Sequence, residues 1–152
     1  MNALEILEHG DQMLREAMSG LPEADWWPVR EVIAHVTAHE MLLAEFLESY
    51  LGERPVAAGT PLNGQVNGDG GTSHADRSVD ELWAEYEAAH TRCRTLLARI
   101  ERESSRINGT ASYGPGGDLE DFLVYSYGHK QRHAAQIAVY RDQLARMAAL
   151  SI

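Results

Sequence analysis

With 152 residues, 44% apolar and 24% charged, the chain has the composition of a soluble globular protein and enough length for one domain, residues 1–152, with a real core. A net charge of −10 argues against nucleic-acid or anionic-membrane binding, which requires clustered Lys and Arg. No apolar run nears the roughly 20 residues of a membrane span, the start Met1-Asn2-Ala3-Leu4 lacks a signal peptide's basic opening, and the lone Cys93 suits a reducing cytoplasm.

Periodicity predicts four helices and no strand. The first spans about Asn2 to Ser19, with Leu4, Leu7, Leu14 and Met18 on one face, and stops at Gly20-Leu21-Pro22. A second opens near Trp27-Pro28, where proline suits a first helical turn. It carries Val29, Val32, Ile33, Val36, Leu43, Phe46, Leu47 and Tyr50 inward and ends at Gly52. The third is announced by Ser78-Val79-Asp80-Glu81, a capping box. Its inward positions are Val79, Leu82, Trp83, Tyr86, His90, Cys93, Leu97 and Ile100. The fourth starts after Asp118, a plausible N-cap, and runs close to the C-terminus. The expected fold is all-α, a four-helix bundle. About 25 residues, Glu53 to Arg77, hold five glycines and two prolines between helices two and three. They read as a long crossover loop or as a lid over a substrate.

The fourth helix bears the chemistry. Phe122, Ser126, His129, His133, Ile137, Tyr140, Leu144 and Met147 share one helical face, so two imidazoles one turn apart point toward the core. A buried imidazole without a partner costs roughly 1–3 kcal/mol, and a shared metal ion is the sharpest way to satisfy two. A second pair at the same spacing, His35 and His39, lies on the flank of helix two. One further imidazole from there completes a three-histidine site with open positions, the arrangement of catalytic rather than structural zinc. His90 reads as a hydrogen-bonded core histidine, and His9 and His74 carry no signal. Glu40 and Gln136 lie about one turn from these rings and can orient an imidazole N–H. Tyr125, Tyr127 and Tyr140 read as core residues, with a general-acid role as the alternative. Lys130, the sole lysine among thirteen basic residues, reads as compositional bias.

Trp26-Trp27-Pro28-Val29-Arg30-Glu31-Val32-Ile33-Ala34-His35-Val36-Thr37-Ala38-His39-Glu40 resembles the second helix of the DinB superfamily, in which a tryptophan and an aliphatic run lead to a histidine. Gly128-His129-Lys130-Gln131-Arg132-His133-Ala134-Ala135-Gln136-Ile137 is similar to that family's last helix. Pro28 departs from the serine or threonine more usual there. The resemblance implies a bundle holding one divalent metal, zinc or nickel before others, on His35, His129 and His133. His39, which periodicity alone places nearer the core than His35, is a substitute or supporting residue. It further implies an enzyme acting on a small molecule, as a thiol S-transferase using a low-molecular-weight thiol or as a hydrolase, in detoxification. A non-catalytic bundle that binds a metal or small ligand is the alternative. Homodimers are common among similar bundles, and Trp26, Trp27 or Trp83 can line such an interface.

Overall fold

The structure, a computed structural model, describes residues 2–21, 27–52, 77–103 and 119–150. Helix α1 is Ala3–Met18, α2 is Trp27–Tyr50, α3 is Val79–Glu103 and α4 is Leu119–Leu150, and the described residues contain no strand. The predicted helices are all present. A cap not predicted from the sequence starts α1: Asn2 Oδ1 accepts the Glu5 N–H and Glu5 Oε2 accepts the Asn2 N–H, both at 2.9 Å. This is a reciprocal cap that satisfies two otherwise orphaned donors. At α3 Ser78 Oγ accepts the Glu81 N–H at 3.1 Å. Gly20 and Gly52, past the ends of α1 and α2, take positive φ of 75° and 78°, where a side chain is disfavoured. The expected caps and turns at Asp118 and Pro22 lie outside the described residues.

Around the bundle the helices stand in the order α1, α4, α2, α3, with α1 opposite α2 and α3 opposite α4. Contacts give their directions. Glu8 meets Arg94 while Arg15 meets Glu87, so α1 and α3 are antiparallel. Thr37 reaches the Leu82 carbonyl and Glu48 pairs with Arg92, so α2 and α3 are parallel. Parallel neighbours cannot be joined by a tight turn. The expected crossover, residues 53–76, itself lies outside the described residues.

The buried apolar residues fall into two halves. Leu7, Leu43, Phe46, Leu47, Cys93, Leu97 and Phe122 pack at one end, with the Phe46 and Phe122 rings 4.7 Å apart. Leu14, Val29, Ile33, Leu82, Tyr86 and Ile137 pack at the other. Between them runs a buried polar layer of Asp11, His39, Glu40, His90, His129 and Lys130. Each helix contributes to it, α1, α2 and α3 near mid-length and α4 from its first half.

One expected core position, Met147, sits elsewhere. Met147 is 60% exposed. Arg141 Nη1 already reaches the carbonyls of Ala17 and Ser19, where α1 ends, so the 32-residue α4 outruns its 16-residue neighbour. Trp27 is exposed, and Trp83 is tied within the chain, its Nε1–H donating to Glu87 Oε1 at 2.8 Å beneath the Arg15 guanidinium. No described helix is long and apolar enough to cross a membrane.

Candidate metal centre

The antiparallel contact of α2 with α4 brings four imidazoles together. His35 Nε2 lies 2.8 Å from His129 Nε2, and His133 Nε2 lies 3.1 Å from the same atom. The His39 ring stacks on His129 at 3.9 Å, and the His35 and His133 ring centroids are 4.8 Å apart. His35, His39 and His129 each offer a ligand atom within 4.8 Å of the other two, a spacing at which one ion can be shared. His39 and His129 are buried; His35 and His133 are half-buried. Thus His35, His129 and His133, expected from different helices, are neighbours, and His39 stands closer to them than a merely supporting role requires.

Protons alone do not satisfy this arrangement. A ring nitrogen carries one N–H or one in-plane lone pair, so His129 Nε2 can make one good hydrogen bond to an imidazole, not two. His39 Nε2 is buried and has no hydrogen-bond partner among the described residues. A cation that accepts several lone pairs at once resolves both conflicts. The tautomer of His133 suits that role: Gln136 Oε1 lies 2.9 Å from its Nδ1, so an Nδ1–H donates to the amide oxygen and Nε2 keeps its lone pair. Gln136 in turn donates to Tyr140 Oη at 3.0 Å, which holds the amide's orientation.

Burial, reinforced by the neighbouring rings and Arg132, lowers the pKa of His35 to about 4, His39 to about 3 and His129 to about 2. His133 is lowered as well, chiefly by burial. All four rings are therefore neutral at pH 7, the form that ligates metals. A cleft of about 530 Å³ opens over them, lined also by Tyr125, Arg132 and Gln136. That volume admits a small molecule.

Behind the cleft the polar layer continues through an ion pair. Lys130 Nζ lies 2.7 Å from Glu40 Oε2, with the two side chains 3% and 1% exposed. Reading Lys130 as compositional bias is thereby corrected: its side chain crosses α1 at Gly10 and neutralises a buried carboxylate. Burial alone would raise the Glu40 pKa, but the Lys130 charge and the His90 hydrogen bond hold it below the usual value. Glu40 thus orients His90, at 2.9 Å from Nδ1, and none of the cleft histidines.

A second group, Glu8, Asp11 and His90, also offers three close ligand atoms. Its carboxylates are already committed: Arg94 donates to Glu8 at 2.7 Å, while Arg15 and Tyr86 donate to Asp11 at 2.6 and 2.8 Å. A divalent ion there would add charge to a cluster whose acids already have cationic partners. It is a structural network. His90 is accordingly the hydrogen-bonded core histidine expected, and His9 is exposed; His74 lies outside the described residues. Cys93 is buried, its Sγ donating to the Glu40 carbonyl at 3.3 Å, and burial pushes its thiol well above the ordinary range.

The model of the DinB superfamily matches residues 6–137, most of the chain. The chain belongs to the DinB superfamily. Helix order, the all-α bundle and the placement of the cleft histidines on α2 and α4 are those the DinB resemblance implied. No curated protein and no solved structure matches the chain.

Proposed function

We propose that this DinB-like bundle is a metal-dependent enzyme acting on a small molecule, as a thiol S-transferase or a hydrolase. In this reading His35, His129 and His133 hold one divalent ion, zinc or nickel, and His39 adds a fourth imidazole beside them. The observation that carries it is the crowding at His129 Nε2, approached at 2.8 and 3.1 Å by two other ring nitrogens. Borderline imidazole donors suit zinc and nickel. A divalent ion among neutral imidazoles keeps its 2+ charge and lowers the pKa of a water or thiol that reaches it.

The chain's own residues supply the setting. Gln136 holds the His133 tautomer, the buried half of the bundle shields the rings from water on one side, and the cleft admits substrate on the other. No thiol nucleophile comes from the polypeptide, because the only cysteine is buried and its thiol is held protonated. In this reading water or an external low-molecular-weight thiol attacks the substrate.

Metal content of protein purified without added metal tests the site, beside His129→Ala. Bound metal near one ion per chain in the parent, lost in the variant, is the expected result; no metal in either sinks the enzymatic reading. A chromogenic electrophile supplied with and without a panel of thiols then separates the two reactions, since only a transferase requires the thiol.

A further inference from the structure

Arg132 is the one ionic side chain among the described residues that line the cleft. It is exposed, and among those residues no hydrogen bond or ion pair engages its guanidinium. The chain has 23 acidic residues against 13 basic ones, so carboxylates able to pair with an arginine are plentiful. Arg15, Arg77, Arg92 and Arg94 each pair with a carboxylate. Arg132 has none within a turn on its own helix, where Gly128, His129, Ala135 and Gln136 are its neighbours. No described lining residue bears a carboxylate. The described lining of the cleft therefore carries a net positive charge on an acidic molecule, and any divalent ion held by neutral rings adds to it.

We propose that Arg132 receives a carboxylate or similar oxyanion of the molecule that enters the cleft, so that the substrate or its thiol partner belongs to the class of small organic anions. Guanidinium geometry matches such a group through two parallel N–H donors. The same charge draws anions toward the opening while the rest of the acidic surface repels them. Arg132 stands one residue before His133, on the exposed side of α4 at the same level as the rings. An anion held there places the other end of a small molecule at the histidines. The inference rests on the metal-site reading, because it assigns the reacting end of the molecule to that site.

Two thiols that differ only in charge provide the test: 3-mercaptopropionate and its neutral amide, titrated into cobalt-loaded protein and followed by the thiolate-to-cobalt absorption band. The parent should bind the anion about five- to ten-fold more tightly than the amide, the range of a single partly exposed charge-assisted contact. Arg132→Gln should abolish that preference and leave amide binding unchanged, Arg132→Lys should keep part of it, and Arg132→Glu should reverse it. A preference that survives in Arg132→Gln, as direct chelation of cobalt by the carboxylate produces, overturns the inference, and so does equal binding of the two thiols by the parent. Failure of the underlying reading looks different: the parent takes up no cobalt, or shows no thiolate band with either thiol. Arg132 is exposed, so its variants keep the fold, which circular dichroism verifies.

Discussion

Lys130 Nζ and Glu40 Oε2 meet 2.7 Å apart inside the bundle, and each residue directly follows a histidine of the cleft, His129 and His39, whose rings stack at 3.9 Å. Successive helical residues point about 100° apart. One step along α2 and α4 therefore turns from the cleft to the core, and the two helices are joined twice at the same level. The ion pair and the ring contact thus belong to one register of α2 against α4.

Removing one partner leaves a buried charge behind. Lys130→Met should destabilise the protein by about 3–5 kcal/mol, the cost typical of breaking a buried pair from one side. Adding Glu40→Gln removes the charge, retains an acceptor for His90 Nδ1, and should recover most of the loss. Urea unfolding of the three proteins measures this; a single variant as stable as the parent would show that the pair holds nothing.

Gly10 is where α1 makes room for that lysine. A Cβ at Gly10 would lie 3.0 Å from Lys130 Cδ, tighter than ordinary contact, and the stem is anchored at its far end by Glu40. Alanine in a helix interior normally gains about 1 kcal/mol over glycine. Here Gly10→Ala should instead lower the melting temperature. In a Lys130→Ala background, with the stem gone, the same substitution should raise it. An increase in both backgrounds would remove the steric argument.

Much of this was readable in the chain, and the parts that were not have physical reasons. The four helices followed from apolar stripes bounded by Gly20, Gly52 and Ser78. His129 and His133 share one inward face and so need a common partner, whereas the choice of His35 over His39 as the third ligand came from the DinB resemblance and not from periodicity. Lys130 and Glu40 were harder, since a charged residue on a helix is ordinarily solvated. Their spacing did carry a signal: Leu123 and Ile137 lie seven residues either side of Lys130, and Ile33 and Leu47 seven either side of Glu40, all four buried. Seven residues is close to two helical turns, so both charges occupy core positions. Their mutual pairing, and the nearness of His39 to His129, depend on the register of α2 against α4. Periodicity within one helix does not contain that information.

Acid should weaken the metal-free protein in a defined window. The cleft rings have pKa values below the ordinary 6.5, because burial opposes their charged form. As the pH falls through 6.5 the unfolded chain takes up protons that the folded rings refuse until about pH 4 for His35 and lower still for His39 and His129. Stability from this source is thus full above about pH 6.5 and declines below it. Glu40, held below 4.5, adds its own loss only at lower pH. Melting temperatures of apo-protein between pH 7.5 and 5 should fall, and less so for His39→Ala, which deletes one of the resisting rings. A flat profile over that range contradicts the burial of neutral imidazoles.

Gln136 offers the sharpest separation of site from scaffold, because it is exposed and, among the described residues, its amide hydrogen-bonds to His133 and Tyr140. Gln136→Leu removes the acceptor that keeps the proton on His133 Nδ1. The ring is then free to take the other tautomer or to rotate, and its Nε2 lone pair is no longer directed at His129. Loss of such an outer hydrogen bond typically costs about 10–100-fold in metal affinity, so a decrease of that order is expected in competition with a chromophoric chelator. Thermal stability without metal should barely change. Gln136→Glu keeps the acceptor and gives it a charge, and should bind metal at least as tightly as the parent. Equal affinity in the leucine variant and the parent would mean that His133 is oriented by something other than this amide, or does not touch the ion.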